Sequence, residues 1–154
     1  MENLPIDVWL EQLKVVYENQ MPFNKYLGLK IDSLSPKDVV VSIDMRPELI
    51  GNFEKNILHG GVISAILDFT GGVIAQVHVI NEMKDASLEK IVKRLTAMGT
   101  IDMRIDYIRP GRGSRFSATG TILRLGHKVA VTRTEFVNEE GVLIAVGTST
   151  YMVG

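Results

Sequence analysis

A chain of 154 residues with no cysteine cannot build a disulfide scaffold, a thiolate metal site or a Cys nucleophile. Its 17 basic and 18 acidic side chains leave a formal net charge of −1, which argues against a nucleic-acid partner, since that calls for a strongly basic face. No uninterrupted apolar run reaches the roughly 18 residues of a membrane span, and the first residues lack the basic region of a signal peptide. The expectation is a cytoplasmic protein with no membrane partner, folded as one domain over 1–154.

Residues 5 to 19 place Ile6, Trp9, Leu10, Leu13, Val16 and Tyr17 at three- and four-residue spacing. The spacing predicts an amphipathic helix, with Pro5 at its first turn and Met21-Pro22-Phe23-Asn24 ending it. The β-branched run Val39 to Met45 predicts a strand, paired with one near Leu27–Ile31. Met45 to Leu58 has loop character. An apolar helix follows from Gly60 to about Val79. Being apolar on nearly every side, it is expected to be buried rather than laid on a surface. Gly71 and Gly72 inside it each cost about 1 kcal/mol relative to Ala, so something should crowd the helix there.

Residues 81–95 are charged, with Leu88, Ile91, Val92 and Leu95 at helical spacing, and predict a short amphipathic helix or lid. Four strand-like segments close the chain, at 96–108, 114–125, 128–137 and 142–152. Gly126-His127 and Asn138-Glu139-Glu140-Gly141 are the turn signals between the later ones. A long helix followed by successive hairpins gives an α+β domain. A curved antiparallel sheet wrapped around one apolar helix would explain why that helix is apolar all round.

The most informative stretch is Leu58-His59-Gly60-Gly61-Val62-Ile63-Ser64-Ala65-Ile66-Leu67-Asp68. Two glycines let backbone approach a ligand closely and turn into a helix. The first N–H groups of that helix lack intrahelical partners and sit at its positive end, which suits an oxygen developing negative charge. Asp68 lies among Val62, Ile63, Ile66, Leu67, Val73 and Ile74, and a carboxylate there must be paired, solvated or used. The local features leave two readings open: a reactive carboxylate, or a buried Asp satisfied by neighbouring donors.

His59-Gly60-Gly61 with Asp68 nine positions on, and the later segment Asp102 to Pro110, resembles the PaaI-type hotdog-fold acyl-CoA thioesterases. The Met45-Arg46-Pro47-Glu48-Leu49-Ile50-Gly51-Asn52 lead-in resembles the bacterial YigI-like branch of that family, and the likeness covers roughly residues 20 to 152. It implies the hotdog fold, hydrolysis of medium- to long-chain acyl-CoA, no cofactor beyond the coenzyme A of the substrate, and dimers with composite sites. Within one helix, nine positions advance about 13 Å and turn Asp68 away from His59. If both ends are catalytic, a second subunit must supply one of them. A homodimer, or a dimer of dimers, is the corollary.

On this resemblance the N–H of Gly60 or Gly61 stabilises the oxyanion. Asp68 is general base or nucleophile, and Thr100 aligns with a hydroxyl that orients water or carboxylate. His59 is expected to orient the loop or cap the helix. Animal members of the family carry Asn six residues before the motif's His, where this chain has Phe53; Asn52 and Asn56 flank it as substitutes, or merely bond their own loop. The phosphates of coenzyme A call for cations. Arg109 and Arg112 are candidates, as is Lys128 in a turn that approaches the nucleotide in the family. Acyl-pocket candidates are Leu49, Ile50, Met98, Met103 and the Leu88–Leu95 segment. No His, Asp and Glu spacing suits a metal. The second reading is an acyl-CoA-binding protein without turnover; a hotdog dehydratase is disfavoured because it would pair a His with an acid.

Overall fold

The structure is a computed structural model and describes residues 5–154. Helix α1 (Ile6–Asn19) buries Trp9, Leu10 and Tyr17 of the stripe its spacing predicts, half-buries Ile6 and Leu13, and leaves Val16 exposed. The expected stop after it is a joint instead. Pro22 opens a second helix, α2 (Pro22–Leu27), at a first-turn position where its missing N–H has no partner to lose. Gly28 ends α2 at φ 69°, so strand β1 (Lys30–Leu34) starts later than Leu27. It pairs antiparallel with β2 (Val39–Asp44). The segment read as loop holds a 3₁₀ turn, Pro47–Leu49, and a small hairpin of β3 (Ile50–Asn52) and β4 (Ile57–Leu58).

Helix α3 (Gly60–Glu82) runs past the expected end at Val79, and α4 (Leu88–Thr96) occupies the charged insertion. Because α4 extends through Thr96, strand β5 (Gly99–Tyr107) begins three residues later than expected. Strands β6 (Arg115–Leu125), β7 (Val129–Asn138) and β8 (Leu143–Met152) complete a six-stranded sheet in the order β1-β2-β6-β7-β8-β5. Successive hairpins therefore hold for β6, β7 and β8 only. Strand β5 does not pair with β6, whose two edges are taken by β2 and β7; it pairs with β8 at the border of the sheet.

The sheet curls around α3. Ile66, Leu67 and Ile74 on the helix, at most 1% exposed, pack into one core with Val41, Ile43, Phe116, Phe136 and Ile144. Each fully buried Leu or Ile contributes about 1.5–3 kcal/mol. Phe116 and Phe136 stack with ring centroids 5.6 Å apart. By length and composition alone the 23-residue α3 matches a membrane span. Its apolarity is spent on the sheet, which covers it on several sides. The fold is thus the α+β hotdog arrangement, and β5 is left as its exposed border.

Candidate active site

The chain enters α3 through a backbone clasp. Gly111 O accepts from Leu58 N at 2.9 Å, and Leu49 O accepts from His59 N at 2.8 Å. His59 is the N-cap residue, with its ring folded back so that Nδ1 accepts from Gly61 N at 2.8 Å. A Cβ at residue 61 would stand 2.9 Å from that Nδ1, so glycine is what admits the ring. The Gly61 N–H is thereby used. The Gly60 N–H has no acceptor among the described residues, and of the two glycine donors it is the free one. Tyr107, at the far end of β5, donates from its hydroxyl to Gly60 O at 2.9 Å and fixes this turn. Tyr107, Ile108 and Arg109 border the cleft beside Gly60.

Asp68 lies two and a half turns further along, half-buried rather than sealed in the core. Thr100 Oγ1 donates to Asp68 Oδ1 at 2.9 Å. Tyr151 donates from its hydroxyl to Asp68 O at 2.7 Å, with Oδ1 at 3.4 Å. Tyr151 comes this close because residue 71 is glycine: a Cβ there would strike the Tyr151 hydroxyl and lie 2.7 Å from Thr132 Oγ1. That is the crowding anticipated from the paired glycines. Burial, reinforced by the Asp68 charge, pushes the Tyr151 ionisation above the ordinary tyrosine range, with the Ser149 and Thr132 hydroxyls opposing it. It therefore stays a neutral donor. The cleft over Asp68 holds about 170 Å³ and is lined by Tyr17, Phe69, Gln76, Met98, Thr100 and Tyr151 among others.

The Asp68 cleft and the Gly60 cleft share no lining residue. They stand at opposite ends of β5, one beside Thr100 and the other beside Tyr107. Asn52 and Asn56 are brought to neither. Asn52 Oδ1 accepts from Lys55 N at 3.1 Å within its own loop, and Asn56 holds a left-handed turn at φ 49°. Phe53 between them is 86% exposed. Arg109 borders the Gly60 cleft and donates to Leu143 O at 3.0 Å. Arg112 reaches Lys55 O, and Lys128 sits exposed in the β6–β7 turn at the Thr100 end of the sheet. Of the acyl-pocket candidates, Met98 lines the Asp68 cleft and Leu49 is core. Among the described residues no three His, Asp or Glu side chains gather as for a metal ion. Tyr151 and Tyr107 were not singled out in the sequence; Gly71 was the one local sign of a large neighbour.

Residues 55–145 match the family model described as Thioesterase superfamily. The chain is 43% identical over 147 residues to the Escherichia coli K12 protein named Medium/long-chain acyl-CoA thioesterase YigI, covering 94% of this chain and 95% of that one. A Shewanella oneidensis crystal structure related to the thioesterase superfamily superposes with a TM-score of 0.95 at 44% identity, covering 99% of this chain and all of the other. A mutant form of the phenylacetic acid degradation protein PaaI from Thermus thermophilus gives a TM-score of 0.64 at 27% identity, with 86% and 97% covered. With its curled sheet, its core helix and the HGG turn that opens that helix, the chain belongs to the thioesterase superfamily, as a thioester hydrolase on the hotdog fold.

Proposed function

We propose that this chain hydrolyses medium- to long-chain acyl-CoA thioesters in a site shared between two copies of itself. The observation that carries the reading is the separation of an oxyanion donor and a carboxylate to the two ends of one uncovered border strand. Two β5 strands paired antiparallel would set Asp68 of one protomer beside the partner's Gly60, and generate the site twice by one two-fold axis. A nine-residue border strand with free N–H and C=O groups is a ready template for such pairing. The acyl range is supported by the 43% identical relative named for medium- and long-chain acyl-CoA.

In this scheme the thioester carbonyl oxygen points at the free N–H of Gly60. That donor, at the positive end of α3, stabilises the tetrahedral oxyanion. Asp68 Oδ1 is already engaged by Thr100 and Tyr151. Oδ2 is therefore the oxygen left to take a proton from the attacking water, or to attack the carbonyl carbon itself. On the water route, collapse of the intermediate gives the free acid and expels the coenzyme A thiolate, which recovers the proton from Asp68. On the direct route, collapse leaves an acyl–Asp68 anhydride, which a water then cleaves to the free acid and the Asp68 carboxylate while the thiolate takes that water's proton. Arg109 and Arg112 at one end and Lys128 at the other would meet across the two-fold and face the phosphates of coenzyme A.

Complementation tests this directly. Asp68→Ala and Gly61→Val each disable one half-site, so each variant alone should be inactive. Refolded together, random pairing yields half heterodimers with one intact site of two, or about a quarter of unmodified activity. A mixture as inactive as its components sinks the shared site. Turnover by Asp68→Ala alone removes Asp68 from the chemistry.

A further inference from the structure

Tyr17 and Gln76 line the Asp68 cleft, and both residues also line a second space. That groove holds about 320 Å³ between α1 and α4. Trp9, Leu13, Val16, Val92 and Leu95 make it apolar, and no charged side chain lines it. Its volume sits at the lower end of the range for small-molecule pockets, about 300–1,000 Å³. Across the shared wall the Tyr17 hydroxyl donates to Gln76 Oε1, and the Tyr17 ring stands edge-on to Phe69 with centroids 5.3 Å apart. Burial keeps that hydroxyl protonated. Val16 and Val92 remain 36% and 43% exposed although they line a concavity. Apolar surface left uncovered in a groove marks a place for an apolar occupant.

We propose that the α1–α4 groove receives the distal methylenes of the acyl chain whose thioester lies over Asp68, with the hydrogen-bonded Tyr17–Gln76 pair as the gate between cleft and groove. The inference rests on the thioesterase reading. The occupant is a flexible hydrocarbon because the two spaces share a wall of two residues, the lining offers no partner for a charge, and the reacting end is already placed next door. Coenzyme A, with its phosphates, has no counter-charge here. A short acyl group ends inside the Asp68 cleft of about 170 Å³ and never reaches the gate. A long one must pass it. Each methylene that enters apolar surroundings is worth about fourfold in binding, so chain-length preference is set in the groove and the bond is broken in the cleft.

Val16→Trp and Val92→Trp fill the groove from positions exposed enough to accept the larger ring. With correctly folded protein, checked by its melting transition, the ratio of kcat/KM on C16-CoA to that on C4-CoA should fall at least tenfold in either variant. Gln76→Ala, which takes away half of the gate, should raise the same ratio about threefold. Binding of cis-parinaric acid, a fluorescent long-chain fatty acid, is measured alongside because it needs no turnover. Its affinity should drop at least tenfold in both Trp variants. An unmodified protein that hydrolyses no acyl-CoA, yet binds the probe in a Trp-sensitive way, sinks the thioesterase reading and keeps the groove. A probe that ignores the unmodified protein, or binds all forms alike, overturns the groove. An unchanged ratio in Gln76→Ala with a lowered one in the Trp variants overturns the gate alone.

Discussion

The two half-sites of α3 that face opposite ends of β5 are built on opposite plans. At the Gly60 end the working group is a backbone N–H, set by a capping ring, a glycine pair and a clasp of main-chain hydrogen bonds. At the Asp68 end the working group is a side chain, set by the hydroxyls of Thr100 and Tyr151 from neighbouring strands. The first plan has a local heart: the cap and both glycines lie within three consecutive residues, and the clasp to Leu49 and Gly111 and the Tyr107 hydroxyl only hold that turn in place. The second is tertiary, since Tyr151 is 83 positions from Asp68 and meets it through the pairing of Thr100 with Tyr151 across β5 and β8. Substitutions at the first end should act through backbone geometry, and at the second through side-chain chemistry.

The largest expected effect is at the carboxylate. Asp68→Asn keeps the Thr100 contact and the fold but removes the proton acceptor, so kcat on the best acyl-CoA should fall about 10²–10⁴-fold with KM little changed. Retention of more than a tenth of kcat in a folded oligomer would assign the chemistry elsewhere. At the other end, Gly61→Ala drives a Cβ into His59 Nδ1 and unseats the cap, whereas at residue 60 the nearest Tyr107 ring atom stands 3.4 Å from a Cβ, an ordinary contact. Losing the alignment of one oxyanion donor costs about 10²–10³ in rate. Gly61→Ala should approach that loss and Gly60→Ala should fall well short of it. Equal losses would mean that the His59 cap does not set the donor.

A smaller effect separates positioning from chemistry. Tyr151→Phe deletes the hydroxyl that holds the Asp68 carbonyl, while Thr100 keeps the carboxylate engaged. The expected loss is about tenfold in kcat. The stability cost is about 0.5–1.5 kcal/mol, that of one net hydrogen bond, because the Asp68 carbonyl lies inside α3 and keeps its helical donor. Stability lost with kcat intact would make Tyr151 a core residue that happens to lie behind the site.

The same contrast explains what was legible in the sequence. The HGG turn, the apolar helix, the Gly141 turn at φ 76° and the Asp at nine positions are short-range patterns, and each appears where the residues suggested. Tyr151 and Tyr107 look like ordinary strand aromatics until register sets one under Gly71 and the other on Gly60 O. The place of β5 was equally hidden. Its nearest neighbour in sequence is β6, yet it lies at the border beside β8, and no local pattern records which strand a loop of seven residues will cross to. Asn52 and Asn56 are the reverse case. Their residue type invites either a site role or a loop role, and within one chain Asn52 bonds its own loop while Asn56 holds a left-handed turn.

The smallest expected effect distinguishes the two ends by pH. The exposed Glu139 carboxylate, in the β7–β8 turn, accepts from Ser114 N and Ser114 Oγ, each at 2.8 Å. Donation from the Ser114 backbone is the main cause that lowers its pKa from 4.5 to about 2. A carboxyl depressed on folding stabilises the protein above its unfolded pKa, and that contribution drains away as pH falls from about 4.5 to about 2. Ser114 follows the 110–113 loop, whose Gly111 O holds Leu58 N and whose Arg112 O accepts from Asn138 Nδ2. Acid should therefore loosen the strap behind His59 and Gly60 and leave the hydroxyls around Asp68 in place. In Glu139→Gln the melting temperature should sit slightly below that of the unmodified chain at pH 7, and the gap should close by about pH 2. Amide exchange gives the spatial test: the substitution should speed exchange at Ser114 and Leu58 at neutral pH, with Thr70 and Gly71 beside Asp68 unaffected. Faster exchange at both ends would mean that the Gly60 and Asp68 half-sites open as one unit, and that their separation along β5 is a matter of geometry and not of stability.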